Sequence, residues 1–321
     1  ADGSVYGYNF VTRLTDPSSS GCSANPTDPN SANEWHGTHV SGIIAAANND
    51  IGVVGVAPGV KLLAARVMGP NGGSESDLIA ALNWTAGKDI PASSACGIVP
   101  KNIHPAQVVN LSLGNTSFGC DTATSSALAS LKALNITVVS AAGNDGSAAA
   151  YSYPGNCYPT INVGASTYEG GLASYSNFGQ GLDIAAPGGD ESFTATNVPE
   201  GFDSAILSTI NEAGFDAAAN TPPVPAGTPG YEAMAGTSMA APYVSGVVAL
   251  LYSVKPNITV DQVWDALHLP GNITPWPSVT SSMARGSIKQ DCSTVVPYTR
   301  TGCGYGIVNA GLAVQYALTL K

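Results

Sequence analysis

The chain has 321 residues, of which 10% are charged, with 37 Gly, 22 Pro and a formal net charge of −11. This composition suits a turn-rich domain with a buried interior, not a disordered tail. With 11 Lys and Arg and no basic run, the chain is not expected to hold nucleic acid, whose phosphates need clustered cations. No apolar stretch reaches the length of a membrane span.

In chain order, residues 12–34 are a run of Ser, Pro, Asn and Asp, with Asp16-Pro17 and Asp28-Pro29, that reads as a long surface loop. His36-Gly37-Thr38-His39-Val40-Ser41-Gly42 then leads into an apolar helix over Ile43–Ala47. Lys61–Val67 reads as a buried strand. Ser74-Glu75-Ser76-Asp77 opens a helix with Ser as N-cap and an acid at the third helical position, and Leu78, Ala81 and Leu82 follow at core spacing. Gln107–Leu113 is the next strand, Asp121–Asn135 the next helix and Ile136–Ala142 the strand after it. Short strands are expected at Ile161–Ala165 and Leu182–Ala186. Gly188–Gly230, rich in Gly and Pro, reads as a surface excursion. Thr237–Tyr252 is the most apolar helix, with Pro242 in or near its first turn, where proline costs little. Strand–helix–strand alternation predicts an α/β fold with a mainly parallel sheet and helices on its faces. No repeat or dividing linker interrupts residues 1–321, so one domain is expected.

Six cysteines, at 22, 96, 120, 157, 292 and 303, contain no C-x-x-C pair, which argues against a zinc knuckle or a thioredoxin-type site. An even count reads as three disulfides in an oxidising compartment; six reduced, buried thiols are the alternative. Cys292 and Cys303 are close enough in sequence to pair easily. Six N-x-S/T sequons, at Asn83, Asn110, Asn115, Asn135, Asn257 and Asn272, carry weight only in an organism that glycosylates.

Three segments carry the parts of a nucleophilic site. A serine hydroxyl needs a base to take its proton and preset donors for the oxyanion that develops. His36 opens the first apolar helix. Asn144 stands at the Gly-flanked turn that ends the strand Ile136–Ala142. Ser238, in Gly236-Thr237-Ser238-Met239-Ala240, stands at the start of a buried helix. Each has a mundane reading by itself, as a structural histidine, a turn residue or a cap; their combination does not.

With these motifs the chain resembles a subtilisin-like serine peptidase over essentially its whole length. His36-Gly37-Thr38-His39 matches the family's histidine motif and Gly236–Ala240 its serine motif. Asn110-Leu111-Ser112-Leu113-Gly114, Ala142-Gly143-Asn144 and Ala185-Ala186-Pro187-Gly188 match between them. The resemblance implies a three-layer α/β/α domain in which His36 is the general base, Ser238 the nucleophile and Asn144 the side-chain oxyanion donor. It also implies a substrate edge at Ser112, Leu113 and Gly114, an S1 wall at Ala141, Ala142 and Gly143, and a second edge at Gly72, Gly73 and Ser74. Pocket depth would depend on the loop around Ser152–Gly155.

The resemblance further implies a polypeptide substrate, an N-terminal propeptide in the precursor, secretion, a monomer, and neither nucleic-acid nor membrane partners. No cofactor is needed for the chemistry. Ala47–Val53 resembles a calcium loop, with Asn49 as the side-chain ligand of a structural Ca²⁺; a plain turn is the alternative. The long loop before His36 and the later cysteines resemble secreted bacterial members, which implies Cys120–Cys157 and Cys292–Cys303 and leaves Cys22 with Cys96. One departure matters. The family's aspartate ends an apolar strand upstream of the histidine and is followed by Thr/Ser-Gly, whereas only Asp2, Asp16, Asp28 and Glu34 precede His36 here. Ala1–Phe10 resembles the sequence just after that motif, so the acid is expected on an absent upstream strand; a catalytically impaired peptide-binding relative is the alternative. An α/β-hydrolase reading fails, because that fold places its serine in G-x-S-x-G and ahead of its histidine.

Overall fold

Strand β1 (Gly7–Asn9) and helix α1 (His36–Ala45) open the fold in a computed structural model that describes residues 7–11, 22, 35–69, 72–91, 96–168, 170–189, 204–211, 229–276, 292 and 302–321. Strand β2 (Ala64–Arg66) pairs with β1 in parallel, and β3 (Met68–Gly69) pairs with β4 (Gly72–Gly73) antiparallel. Helix α2 (Glu75–Thr85) starts where the Ser-Glu-Ser-Asp pattern places it, because the Ser74 hydroxyl accepts the Asp77 N–H. Strands β5 (Val108–Leu111) and β6 (Asn115–Thr116) follow. Helix α3 (Thr122–Ala133) is capped by the Asp121 carboxylate, which accepts the Thr124 N–H. Next come β7 (Thr137–Ala141), β8 (Ser152–Tyr153), β9 (Ile161–Ser166) and β10 (Ile184–Pro187). The antiparallel pair β11 (Ile206–Asn211) and β12 (Pro229–Met234) precedes the long helix α4 (Thr237–Val254). Helix α5 (Val260–His268), strands β13 (Ile273–Thr274) and β14 (Ile307–Val308), and helix α6 (Ala310–Thr319) complete the described elements.

Among the described residues the main sheet has six strands in the order β13-β14-β10-β9-β7-β5, parallel except where β13 meets β14. Its two faces follow from the two-residue period of a strand. Val138 faces Leu78, Leu82, Leu128 and Leu131 of α2 and α3. The next residue, Val139, faces the opposite layer, with Val244, Val247, Val248 and Leu251 of α4 and Ala313 and Ala317 of α6. Strands buried on both faces read as continuous apolar runs, which is why TVVSA and INVGAS are legible as strands. The result is a three-layer α/β/α fold, and each Val, Leu, Ile, Phe or Met side chain fully buried in it contributes about 1.5–3 kcal/mol.

Two expectations need correction. Lys61–Val67 is not a buried strand: its regular part is only Ala64–Arg66, Ala64 is exposed, and it pairs with β1 outside the six-stranded sheet. The stretch Gly188–Gly230 is not all surface excursion. It contains β11, whose Ser208 and Ile210 are buried, and its end enters β12. The expected loop over residues 12–34 lies outside the described residues except for Cys22. All six cysteines are bonded, as Cys22–Cys96, Cys120–Cys157 and Cys292–Cys303, which is the pairing the resemblance implies and excludes six reduced thiols.

Candidate active site

The parallel strands β5 and β7 end side by side, and the loops leaving their carboxyl ends line a cavity of roughly 320 Å³, the usual place for a ligand on an open α/β sheet. Leu113, Gly114, Asn115 and Thr116 come from the first loop, Ala141, Gly143, Asn144 and Asp145 from the second, and Thr237 and Ser238 from the N-terminal turn of α4. Ser152, Tyr153 and Asn177 complete the lining. Six residues expected at the site therefore meet in one cavity: Leu113, Gly114, Ala141, Gly143, Asn144 and Ser238. Ser112, Ala142, Gly72, Gly73, Ser74 and His36 do not line it.

The Asn144 side chain has a fixed orientation. Its Oδ1 accepts the Thr237 N–H at 2.9 Å and the Thr237 hydroxyl at 2.8 Å, and the Thr237 Oγ1 in turn accepts the Gly143 N–H at 3.1 Å. Two donors at the oxygen leave Nδ2, which only donates, as the free end of the amide. The N–H of Ser238 lies in the first turn of α4, where backbone donors have no intrahelical acceptor. Both donors belong to residues that line the same cavity, and the Ser238 N–H stands at the positive end of a helix.

A second amide holds the loop beneath. Asn177 is 3% exposed. Its Oδ1 accepts the N–H groups of Asp145 and Ser147, and its Nδ2 donates to the Ala142 carbonyl and the Ser152 hydroxyl. Gly143 is required at its position because its φ is +94° and a Cβ there would lie 2.5 Å from Asn177 Nδ2. Tyr153 bonds Thr124 Oγ1 at 2.7 Å, and burial pushes its phenol pKa up, so it stays neutral. Neither Thr237 nor Asn177 stands out in the sequence as a site residue. The only local sign of Thr237 is its place beside Ser238.

His36 is the first residue of α1 and half-buried. Val40 and Ile43 of α1 pack with Met239 and Tyr243 of α4, so the two helices are packed against each other. The residue before His36, Trp35, has φ 45° and ψ 20°, a left-handed conformation that is rare for a bulky side chain. Asp2, Asp16, Asp28 and Glu34 lie outside the described residues. At the expected calcium loop, Asn49 Oδ1 accepts the Ile51 N–H at 3.2 Å. No group of three His, Cys, Asp or Glu capable of holding a metal occurs among the described residues. That single amide oxygen falls well short of the six to eight oxygens calcium takes, so backbone carbonyls would have to supply the rest.

A family model described as "Subtilase family" matches residues 7–269. The chain belongs to the subtilase family. It is 38% identical over 291 residues to an "Extracellular protease" of Xanthomonas campestris pv. campestris, a match covering 90% of this chain and 41% of that one. It is 32% identical over 276 residues to "Subtilisin Savinase" of Lederbergia lenta, covering 85% of this chain and 83% of that one. A solved protease structure from Pseudoalteromonas arctica superposes with a TM-score of 0.76 at 34% identity, covering 97% of this chain and 83% of that one. The chain spans about two fifths of the length of the Xanthomonas relative. As in subtilases generally, no cofactor is required for the chemistry itself.

Proposed function

We propose that this subtilase is the catalytic domain, over residues 1–321, of a secreted serine endopeptidase. The observation that carries the reading is the Thr237-fixed Asn144 amide beside Ser238 at the N-terminus of α4. Ser238 Oγ attacks the scissile carbonyl while His36 Nε2 takes its proton. Asn144 Nδ2 and the Ser238 N–H receive the oxyanion. His36 then gives the proton to the leaving amine, and water, activated by the same imidazole, hydrolyses the acyl-enzyme. The peptide lies as an added strand along residues 112–114 and 72–74, with its P1 side chain against residues 141–143. An acid at His36 Nδ1, on a strand upstream of the histidine, would hold the tautomer that leaves Nε2 free.

Secretion is supported by three disulfides and by relatives named as extracellular. A propeptide in the precursor, a monomeric enzyme and a structural Ca²⁺ at residues 47–53 with Asn49 as one ligand belong to the same proposal, and no catalytic step uses the ion. A fluorophosphonate probe tests it. It should label Ser238 of the chain and leave Ser238→Ala untouched. A chain left unlabelled is the impaired, peptide-binding relative instead.

A further inference from the structure

In an α-helix the carbonyl of residue i accepts the N–H of residue i+4. Four residues after Ser238 stands Pro242, inside α4, and proline has no N–H to give. The turn that carries the nucleophile therefore lacks the hydrogen bond that would anchor the carbonyl of the nucleophile itself. A side chain from another element takes its place: Ser112 Oγ donates to the Ser238 carbonyl at 2.7 Å.

The donor is held from behind. Asn110 Nδ2 donates to Ser112 Oγ at 3.0 Å, and Asn110 Oδ1 accepts the Ser245 hydroxyl at 2.8 Å. Ser245 is 2% exposed and lies on α4, about two turns beyond Ser238. The relay leaves the helix at one end of the gap, crosses the end of β5 and returns to the same helix. Its direction is fixed by chemistry. A carbonyl only accepts, so Ser112 must donate to it. Ser112 then accepts from Nδ2, and Oδ1 is left facing Ser245.

We infer that Ser112, Asn110 and Ser245 are positioning residues that replace the bond removed by Pro242 and so set the attack geometry of Ser238. This rests on Ser238 being the nucleophile. It gives the Ser112 side chain a task apart from the substrate edge expected of that segment. It also commits both ends of the half-buried Asn110 amide of the Asn110-Leu111-Ser112 sequon to internal hydrogen bonds, which argues against its use as a glycan acceptor.

The test reads the rate of fluorophosphonate labelling at Ser238. Ser112→Ala should slow it about 10–100-fold, the range expected for a misaligned reacting group. The melting temperature should fall by only about 2–4 °C, as for one lost hydrogen bond. Ser112→Thr, which keeps the hydroxyl, should label within about threefold of wild type, and Ser245→Ala should label more slowly than wild type. The deciding variant is Pro242→Ala, which restores an N–H to the helix. In that background Ser112→Ala should cost no more than about threefold, a strong non-additivity between two residues that share one carbonyl. Equal slowing by Ser112→Ala in both backgrounds overturns the inference, as does no slowing in the native one. If wild type labels and Ser112→Ala labels equally fast, only this inference falls. If wild type does not label at all, the peptidase reading falls with it.

Discussion

Asn144 shows how a residue can be visible in the sequence while the bonds that orient it are not. An amide at the end of an apolar strand, in Ala142-Gly143-Asn144, is visible in the sequence. The bonds that aim it are not, because Thr237 lies 93 residues away and Asn177 reaches Asp145 across 32 residues. Sequence spacing reports local periodicity, whereas these contacts exist only once β7 and α4 have docked. Since Thr237 fixes Oδ1, Nδ2 is presented before substrate arrives, the preorganised arrangement that makes an oxyanion donor effective. Asn144→Ala should therefore lower kcat by about 10²–10³-fold with little change in KM, a magnitude taken from subtilisin, a member of the same family. Steady-state kinetics on a peptide substrate checks this, in protein that carries the expected acid upstream of His36. A loss carried wholly in KM means the amide contacts ground-state substrate instead.

At the scale of elements, the apolar strands and the capped helices were legible because each obeys one period and carries its own cap. The pair β11 and β12 was not, since its partners are separated by a Gly- and Pro-rich stretch and its register depends on α1. Gly42 of α1 is so close to the hairpin that a Cβ there would meet Ser208 Oγ and Thr209 Oγ1. The Ser208 hydroxyl donates to the His39 carbonyl, and His39 Nε2 stands 3.0 Å from the carbonyls of both Ile206 and Glu232. Carbonyls only accept, so Nε2 carries the proton, while the buried Nδ1 has no partner among the described residues. Burial holds the His39 pKa below the usual 6.5 despite those carbonyls. A lowered folded pKa means that the unfolded chain binds the proton first. The imidazole's contribution is thus whole above about pH 6.5 and declines as pH falls toward the folded pKa. Glu232 acts in the opposite sense, because burial raises its carboxyl pKa and stability is recovered as it protonates at lower pH. Melting temperature should then fall between pH 7 and pH 5.5 in wild type and in Glu232→Gln, and fall less in His39→Gln. A parallel decline in His39→Gln assigns the acid sensitivity elsewhere.

Over the whole molecule, strand–helix alternation was enough for an α/β fold with a mainly parallel sheet, and the three-layer arrangement and the cysteine pairing came from the family resemblance. What each disulfide does depends on where the folded chain puts it. Cys22 and Cys96 border the aromatic cluster of Tyr8, Phe10 and Trp84, and Cys292–Cys303 packs with Leu172 and Leu182. Cys120 and Cys157 instead follow β6 and β8, the two strands that pair as a ribbon and give the cavity Asn115, Thr116, Ser152 and Tyr153. Loop-closure entropy makes the Cys120–Cys157 and Cys292–Cys303 bonds similar, about 4 and about 3 kcal/mol for separations of 37 and 11 residues. Removing either should thus lower the melting temperature by comparable amounts. Their kinetic effects should differ. Without Cys120–Cys157 the ribbon keeps only non-covalent tethers, among them its own short ladder, the Ser117 N–H bond to the Tyr151 carbonyl and the bonds of Ser152 to Asn177 and of Tyr153 to Thr124, so the wall of the cavity loosens. The Cys120→Ser/Cys157→Ser variant should raise KM several-fold for substrates with a bulky P1 side chain, while Cys292→Ser/Cys303→Ser leaves KM unchanged at a temperature where both are folded. The same KM in the two variants places the P1 wall elsewhere than on the β6–β8 ribbon.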